Sequence, residues 1–238
     1  MSASSKTKEP IIALHGLPRA GKDTLAGLIV RNGLRFAGAI DPPIQFAFAD
    51  ALYADVAAMF EVSIADLHSH AWKTEPQEDL ALWHCQHPTY RAWLRQRPTP
   101  VFDPQTSRFH LRYYGTEYTA EYSTRDHWAR KLVATLDTYD EVHDGVIVIT
   151  DLRRYGHSMH ELEALRLWAH LHLRALIVVH IERPGYVPTA PAHSSDAVFP
   201  PGTSQVTLTN AEGAPPEAML QQLTTFLANH PTTTKVHL

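Results

Sequence analysis

The stretch Gly16-Leu17-Pro18-Arg19-Ala20-Gly21-Lys22-Asp23-Thr24 fits the pattern G-x-x-x-x-G-K, with Asp-Thr directly behind the lysine. These residue types suit the handling of phosphate. Glycines let the backbone turn and approach oxygen atoms without a Cβ in the way. Backbone N–H groups of such a loop converge into an anion-binding nest. A helix starting near Lys22 points its positive dipole end at the same place. Lys22 would reach the β- and γ-oxygens of a nucleoside triphosphate and neutralise charge as a phosphoryl group moves. The pattern departs from its common form at Asp23, where a hydroxyl normally ligates Mg2+. An acid there would hold the metal through a water, with Thr24 supplying its hydroxyl to the metal or to the α-phosphate. A second acid, Asp151, ends the apolar run 145–150, where a Walker-B-type carboxylate would orient Mg2+ and its waters. An acid in that place equally caps the next turn. Arg153 and Arg154 follow it; one would stabilise charge on a transferred group, although paired arginines also suit a solvated loop.

These residues need elements that hold them. Ile11-Ile12-Ala13-Leu14, closed by His15-Gly16, reads as a buried strand, and 23–31 reads as a helix with Leu25, Leu28 and Ile29 on one face. Strand, glycine loop and helix are the context that a phosphate-binding loop requires. Beyond the break at Asp41-Pro42-Pro43, residues 46–49 read as a short strand or lead-in, and 50–60 as a helix with Leu52, Val56, Met59 and Phe60 inward. The stretch 74–110, with Pro76, Pro88, Pro98, Pro100 and Pro104, reads as an insertion or cap, partly helical over 78–95. Further helices are expected over 125–139, 158–171 and 216–229. Strands are expected over 145–151, 175–181 and 206–208, with a long loop over 184–205. Alternating strands and helices predict an α/β fold: a parallel sheet flanked by helices, P-loop NTPase-like, with an irregular insertion. The expected organisation is a flexible start over 1–10, one domain over 11–230 and a tail over 231–238.

Composition leaves room for such an enzyme and excludes several others. The chain has 238 residues, 44% hydrophobic and 19% charged, ordinary values for a globular protein. A formal net charge of −4 demands no polyanionic partner, so a nucleic-acid role would need a local basic patch. The single cysteine, Cys85, forms neither an internal disulfide nor a thiolate zinc site, which suits a reducing cytoplasm. No run approaches the ~20 apolar residues that span a bilayer, and the polar start lacks a signal-peptide apolar region. The sixteen histidines are scattered, without metal-ligand spacing. We therefore expect a cytoplasmic protein with no membrane partner.

Several stretches carry a resemblance. They are Gly21-Lys22-Asp23-Thr24; Phe48-Ala49-Asp50-Ala51-Leu52; Lys73 with Glu75; Leu111-Arg112-Tyr113-Tyr114-Gly115-Thr116-Glu117 with Trp128 beyond; Asp151-Leu152-Arg153; Glu182-Arg183-Pro184-Gly185 followed by His193-Ser194-Ser195-Asp196; and Thr209-Asn210. In this order they resemble the deoxynucleoside monophosphate kinases of the bacteriophage type, within the P-loop nucleoside monophosphate kinase group. In that family Gly-Lys-Asp-Thr is itself a variant of the phosphate loop, so Asp23 becomes a point of agreement. The family's Asn-Glu after its Asp-Val-Arg turn is missing in place, with Glu161 or Glu163 as substitutes. Residues 76–108 match nothing in the family.

The resemblance implies transfer of a phosphoryl group from ATP to a deoxynucleoside monophosphate, in the cytoplasm of the host cell if the chain is phage-encoded. It implies that Gly16, Arg19, Ala20, Gly21, Lys22, Asp23 and Thr24 hold the ATP phosphates, and that Asp23, Thr24 and Asp151 organise Mg2+. Lys22, Asp151, Arg153 and Arg19 would act on the transferred group. Asp50, Lys73, Arg112, Gly115, Thr116, Glu117, Trp128 and His193 would form the acceptor side, with a cation on the monophosphate and an aromatic ring on the base. Plainer roles stay open: core packing for Trp128, strand surface for Arg112, loop surface for His193. The loops 155–158 or 184–205 would close over the phosphates. Other acceptors also stay open. One is a hydroxymethylated base within DNA, served by the arginines and by Trp83, Tyr90 and Trp93 of the unmatched stretch; another is a small phosphorylated metabolite. Pairing into a homodimer, and a regulatory module that only binds nucleotide, stay open too.

Overall fold

Ile11–His15 forms β1, and all five of its residues are buried. An unbroken apolar run of this kind is what a parallel strand covered on both faces requires. In the computed structural model, which describes residues 8–35, 40–97, 103–154, 158–186 and 199–230, the chain is α/β. Four further strands join β1: β2 (Ile44–Phe46), β3 (Ile147–Ile149), β4 (Leu176–Glu182) and β5 (Val206–Thr209). The sheet has the order β2-β3-β1-β4-β5, and every pairing is parallel. Helices α1 (Lys22–Asn32), α9 (His160–Leu171) and α10 (Glu217–Asn229) accompany it.

The chain divides into two compact units, 1–48 with 132–238, and 49–131. The first holds the sheet. Its core joins Ile12 and Leu14 of β1 to Leu25 and Ile29 of α1 and to Met219 and Leu223 of α10. Each such side chain contributes about 1.5–3 kcal/mol on burial. Helix α1 ends at Gly33, whose φ of 62° and backbone N–H bonded back to Val30 O close the last turn. At the opposite edge of the sheet from the strand C-termini, Arg174 is fully buried. It donates to Asp140, to Glu9 O and Gly145 O just ahead of β1 and β3, and to His143 O. Burial pushes the Asp140 carboxyl up, but hydrogen bonds from Lys8, Arg174 and His172 outweigh it and leave it below its ordinary value.

Among the described residues, the second unit contributes no strand to the sheet. It consists of α2 (Asp50–Phe60), α3 (Ile64–His68), α4 (His70–Thr74), α5 (Pro88–Arg95), α6 (Ser107–Arg112), a π-helical turn (Tyr113–Tyr118), α7 (Thr119–Tyr122) and the start of α8 (His127–Asp140). Helices this short need help at their ends. Ser63, Ser69, His87 and Thr106 each accept a backbone N–H as N-cap of α3, α4, α5 and α6. The stretch 74–110 lies inside this unit. Its Tyr90, Trp93 and Leu94 are core residues, packed with Phe60, Tyr114 and Tyr118. Tyr90 meets Tyr114 and Tyr118 edge-on at 5.2 and 5.3 Å, the geometry aromatic rings favour. His110, fully buried, sits in the same cluster. Its Nε2–H donates to Leu80 O at 2.8 Å, which leaves Nδ1, 3.2 Å from the Tyr90 hydroxyl, as the acceptor.

The segment 111–117 runs as helix and π turn, where a strand surface for Arg112 had been one expectation. It is continuous with α6 before it and α7 after it, and the Trp128 indole N–H bonds the Gly115 carbonyl within it. Among the described residues no helix is long and apolar enough to cross a membrane. The expected flexible start and tail lie mostly outside the described residues, as do 155–157 and 187–198 of the two loops expected to close.

Candidate functional site

The segment after β1 is built on unusual backbone. Gly16, Arg19 and Gly21 have φ of 146°, 62° and 108°. At Gly16 a Cβ would lie 2.3 Å from the carbonyl oxygen of Ile181 on β4, so only glycine lets the loop pass there. Arg19 holds a left-handed conformation without being glycine, and its side chain is exposed. Ala20 is buried and its N–H bonds Leu17 O at 3.1 Å, closing the turn. Gly21 then caps α1, and Leu25 N–H makes the first helical bond to its carbonyl at 2.9 Å. The Lys22 ammonium is folded back over the loop, donating to Gly16 O at 2.8 Å and Leu17 O at 2.9 Å. Asp23 and Thr24 are exposed in the first turn of α1.

Two residues without an expected role adjoin this loop. Asn210, just past β5, donates from Nδ2 to Ala20 O at 2.8 Å, while its own N–H bonds Glu182 O. A Cβ on Gly21 would come within 2.7 Å of that amide. His15, the last residue of β1, is 4% exposed. Its Nε2 lies 2.6 Å from Ser204 Oγ, and its ring sits between His180 and Phe199 at centroid distances of 4.6 and 4.7 Å. Burial, then His180, then the Lys22 charge lower its pKa to about 3, so the ring is neutral at ordinary pH.

β3 lies beside β1 in the sheet, so the segment after β3 emerges next to the loop. Asp151 is half-buried there and accepts the Phe48 N–H on Oδ1 at 2.7 Å. Arg153 presents an exposed side chain, while its backbone N–H bonds Glu161 Oε2 at 2.7 Å. Of the two substitutes weighed for the missing Asn-Glu, Glu161 is 6% exposed. Glu163 is an exposed partner of His160. Burial, and then the neighbouring Asp151 charge, raise the Glu161 carboxyl well above its ordinary value.

The acceptor-side candidates among the described residues all belong to the second unit. Asp50 is exposed in the first turn of α2. Lys73 lies 5.8 Å from the centroid of the Tyr53 ring, which stacks on His68 at 3.8 Å. Arg112, exposed, faces Glu117 across the π turn at 3.5 Å. Gly115 and Thr116 form the middle of that turn, and a Cβ at Gly115 would fall 2.6 Å from a methyl of Leu52. Trp128 donates its indole N–H to Gly115 O at 2.7 Å, and the Lys131 ammonium sits 5.4 Å from its ring centroid. The structure thus joins Trp128 to Gly115 and Arg112 to Glu117. His193 lies outside the described residues.

The basic and aromatic interleaving of 83–97 does not form a stacking surface. Tyr90 and Trp93 are 0% and 1% exposed, whereas Trp83 is 42% exposed. Arg97 lies over the Trp93 ring at 3.3 Å and pairs with Glu121. Among the described residues, no three His, Cys, Asp or Glu side chains gather in a group that could hold a metal. No protein-family model matches the chain, and no curated protein matches its sequence.

Proposed function

We propose that the chain is a P-loop kinase that transfers the γ-phosphoryl group of Mg·ATP to a deoxynucleoside monophosphate, giving the diphosphate. The observation that carries this reading is the 16–22 loop. Its positive φ angles at Gly16, Arg19 and Gly21, and the Lys22 ammonium held over its carbonyls, stand at the N-terminus of an eleven-residue helix. Such a loop offers backbone N–H groups and a helix dipole to an anion. In this reading Lys22 exchanges the two carbonyls for β- and γ-oxygens of ATP, and Arg153 and Arg19 offset charge on the group in transfer. A P-loop kinase fold is the finer reading of the parallel sheet.

Mg2+ that arrives with a nucleotide is bound mainly by phosphates and water, with one or two carboxylates. Asp23, Thr24 and Asp151 are hard oxygen donors of the type it needs, and the ion would neutralise phosphate charge. On the acceptor side, Lys73 and Arg112 are the cations for a monophosphate. Asp50, Thr116, Glu117 and His193 are the polar contacts, and Gly115 with Trp128 shapes the turn. The burial of Tyr90 and Trp93 favours a free nucleotide over a base within DNA.

A coupled ADP-release assay over a panel of deoxynucleoside and nucleoside monophosphates, 5-substituted pyrimidines included, tests this reading. Turnover on at least one monophosphate, lost in Lys22→Ala, is expected. A folded protein that binds ATP but turns over none of them overturns it.

A further inference from the structure

We infer that Glu161 is a positioning residue for the proposed phosphoryl transfer, fixing the turn that carries Asp151 and Arg153 through its hydrogen bond from the Arg153 backbone. This rests on the kinase reading.

The turn after β3 is pinned residue by residue. Thr150 N–H bonds Phe46 O at 3.0 Å, and Leu152 N–H bonds Leu14 O at 3.1 Å. Asp151 Oδ1 takes the Phe48 N–H at 2.7 Å. These three bonds tie the turn to the ends of β1 and β2. They stop short of Arg153, whose exposed side chain needs a fixed backbone if it is to meet a transferred group in one place. Glu161, from the first turn of α9, accepts the Arg153 N–H at 2.7 Å.

The chemistry of the position argues that this bond is the reason for the residue. A carboxyl at 6% exposure beside a second carboxylate is an unfavourable choice for packing alone, and an apolar side chain of similar size would be better accommodated. A carboxyl oxygen there gives a backbone N–H an acceptor that an apolar side chain lacks.

The test compares the full chain with Glu161→Ala, Glu161→Gln and Glu161→Asp. Glutamine keeps an acceptor oxygen at the same reach, and aspartate withdraws it by one methylene. Amide hydrogen exchange at Arg153 reads the hold on the turn without reference to activity. In Glu161→Ala it is expected to speed up about 10- to 100-fold, the range for a buried donor that loses its partner. Turnover is expected to fall by about the same factor, with the KM for ATP within about threefold, because a displaced group costs rate more than ground-state binding. Glu161→Gln is expected to restore both to near the parent values. Glu161→Asp shows the same pattern at smaller amplitude and serves if the alanine chain does not fold. Unchanged exchange at Arg153, or a glutamine variant that loses as much turnover as alanine, overturns the inference. If the parent chain turns over no monophosphate, the kinase reading fails, and the exchange measurement still decides whether Glu161 holds the turn.

Discussion

In the unit of 1–48 and 132–238, the candidate residues follow strand ends, and backbone sets their geometry: positive φ angles, a glycine pressed against a carbonyl, a turn pinned by neighbouring strands. In residues 49–131 the candidates ride on short capped helices around an aromatic core, and side chains set their geometry: Trp128 on Gly115 O, Lys73 beside Tyr53, Arg112 against Glu117. The first kind of site tolerates almost no change of residue at its glycines, since backbone closes the space at Gly16 and a φ of 108° strains any side chain at Gly21. The second kind is adjustable, since its neighbours are the ends of flexible side chains. A kinase of the proposed kind needs both: an invariant phosphate cradle and an acceptor side that can be tuned to one base.

The largest effect that sharpens this contrast is on turnover. Lys22→Ala is expected to lower kcat by about a thousandfold or more, about 4 kcal/mol of transition-state stabilisation. Lys73→Ala, in the second unit, is expected to lower kcat/KM for the monophosphate by about 10- to 100-fold while leaving the KM for ATP unchanged. Steady-state kinetics with each substrate varied in turn separates them. A rise in the KM for ATP in Lys73→Ala breaks the division of labour between the units.

The next contrast is in stability, at the residues each unit can least replace. Gly16→Ala sets a Cβ 2.3 Å from the Ile181 carbonyl at a φ of 146°, and backbone cannot move aside as a side chain does. Trp93→Ala empties a site that is 1% exposed and stacked with Arg97. Each is expected to cost about 3–5 kcal/mol in urea unfolding, one by strain and the other by a cavity. Only Gly16→Ala is expected to abolish ATP binding in the fraction that remains folded.

The same contrast explains what could be read from the sequence. Ile11–Leu14 of β1, β3 and the start of β4 are uninterrupted apolar runs, and the helices of the first unit are long enough for periodicity, so 23–31 anticipates α1 (Lys22–Asn32) and 216–229 anticipates α10 (Glu217–Asn229). β2 is less legible: 46–49 reads as a short strand or lead-in and the strand is Ile44–Phe46, because parallel pairing of Ile44 with Ile147 decides its register and three residues leave no pattern of their own. In the second unit α3 and α4 have five residues each, too few to show a period, and are defined by Ser63 and Ser69 caps. The π turn at Tyr113–Tyr118 was not legible at all. It depends on Leu52 closing over Gly115 and on an indole bond from Trp128 thirteen residues away. The bonds of Asn210 and His15 are not legible for a related reason: their partners, Ala20 and Ser204, are 190 and 189 residues distant in the chain.

Each unit also buries a neutral histidine, which gives them a common response to acid. The pKa of His15 is lowered to about 3 and that of His110 to about 4, burial being the first cause in both. The unfolded chain takes up protons at these rings below about pH 6.5, whereas the folded chain does not until about pH 3 and 4. The unfolded state therefore binds more protons in that window, and stability is lost as pH falls through it. Each ring contributes up to about 1.4 kcal/mol per pH unit. Glu161 acts with the opposite sign: its raised carboxyl binds a proton more readily in the fold, so its contribution falls as pH rises above the ordinary glutamate range. Urea midpoints from pH 7 to 4 are expected to decline, and less steeply in His15→Asn and His110→Asn. An unchanged slope in His110→Asn would show that the aromatic core of the second unit opens to admit a proton.

The smallest effect is the most diagnostic, because it repeats the Gly16 substitution in the other unit. Gly115→Ala places a Cβ 2.6 Å from Leu52 Cδ2, a clash as tight on paper as many backbone ones. The atom it meets, however, ends a flexible side chain, and Gly115 is not among the residues of positive φ. Leu52 can rotate at a cost of about 1 kcal/mol, and alanine returns nearly as much by its greater preference for helical backbone. Net stability is therefore expected to stay within about 1 kcal/mol of the parent. The displaced Leu52 and the carbonyl that Trp128 grips still move, so the KM for the monophosphate is expected to rise several-fold with the KM for ATP unchanged. A loss of stability comparable to that of Gly16→Ala would mean that the π turn is as rigidly built as the 16–22 loop, and that the second unit is a fixed frame rather than an adjustable one.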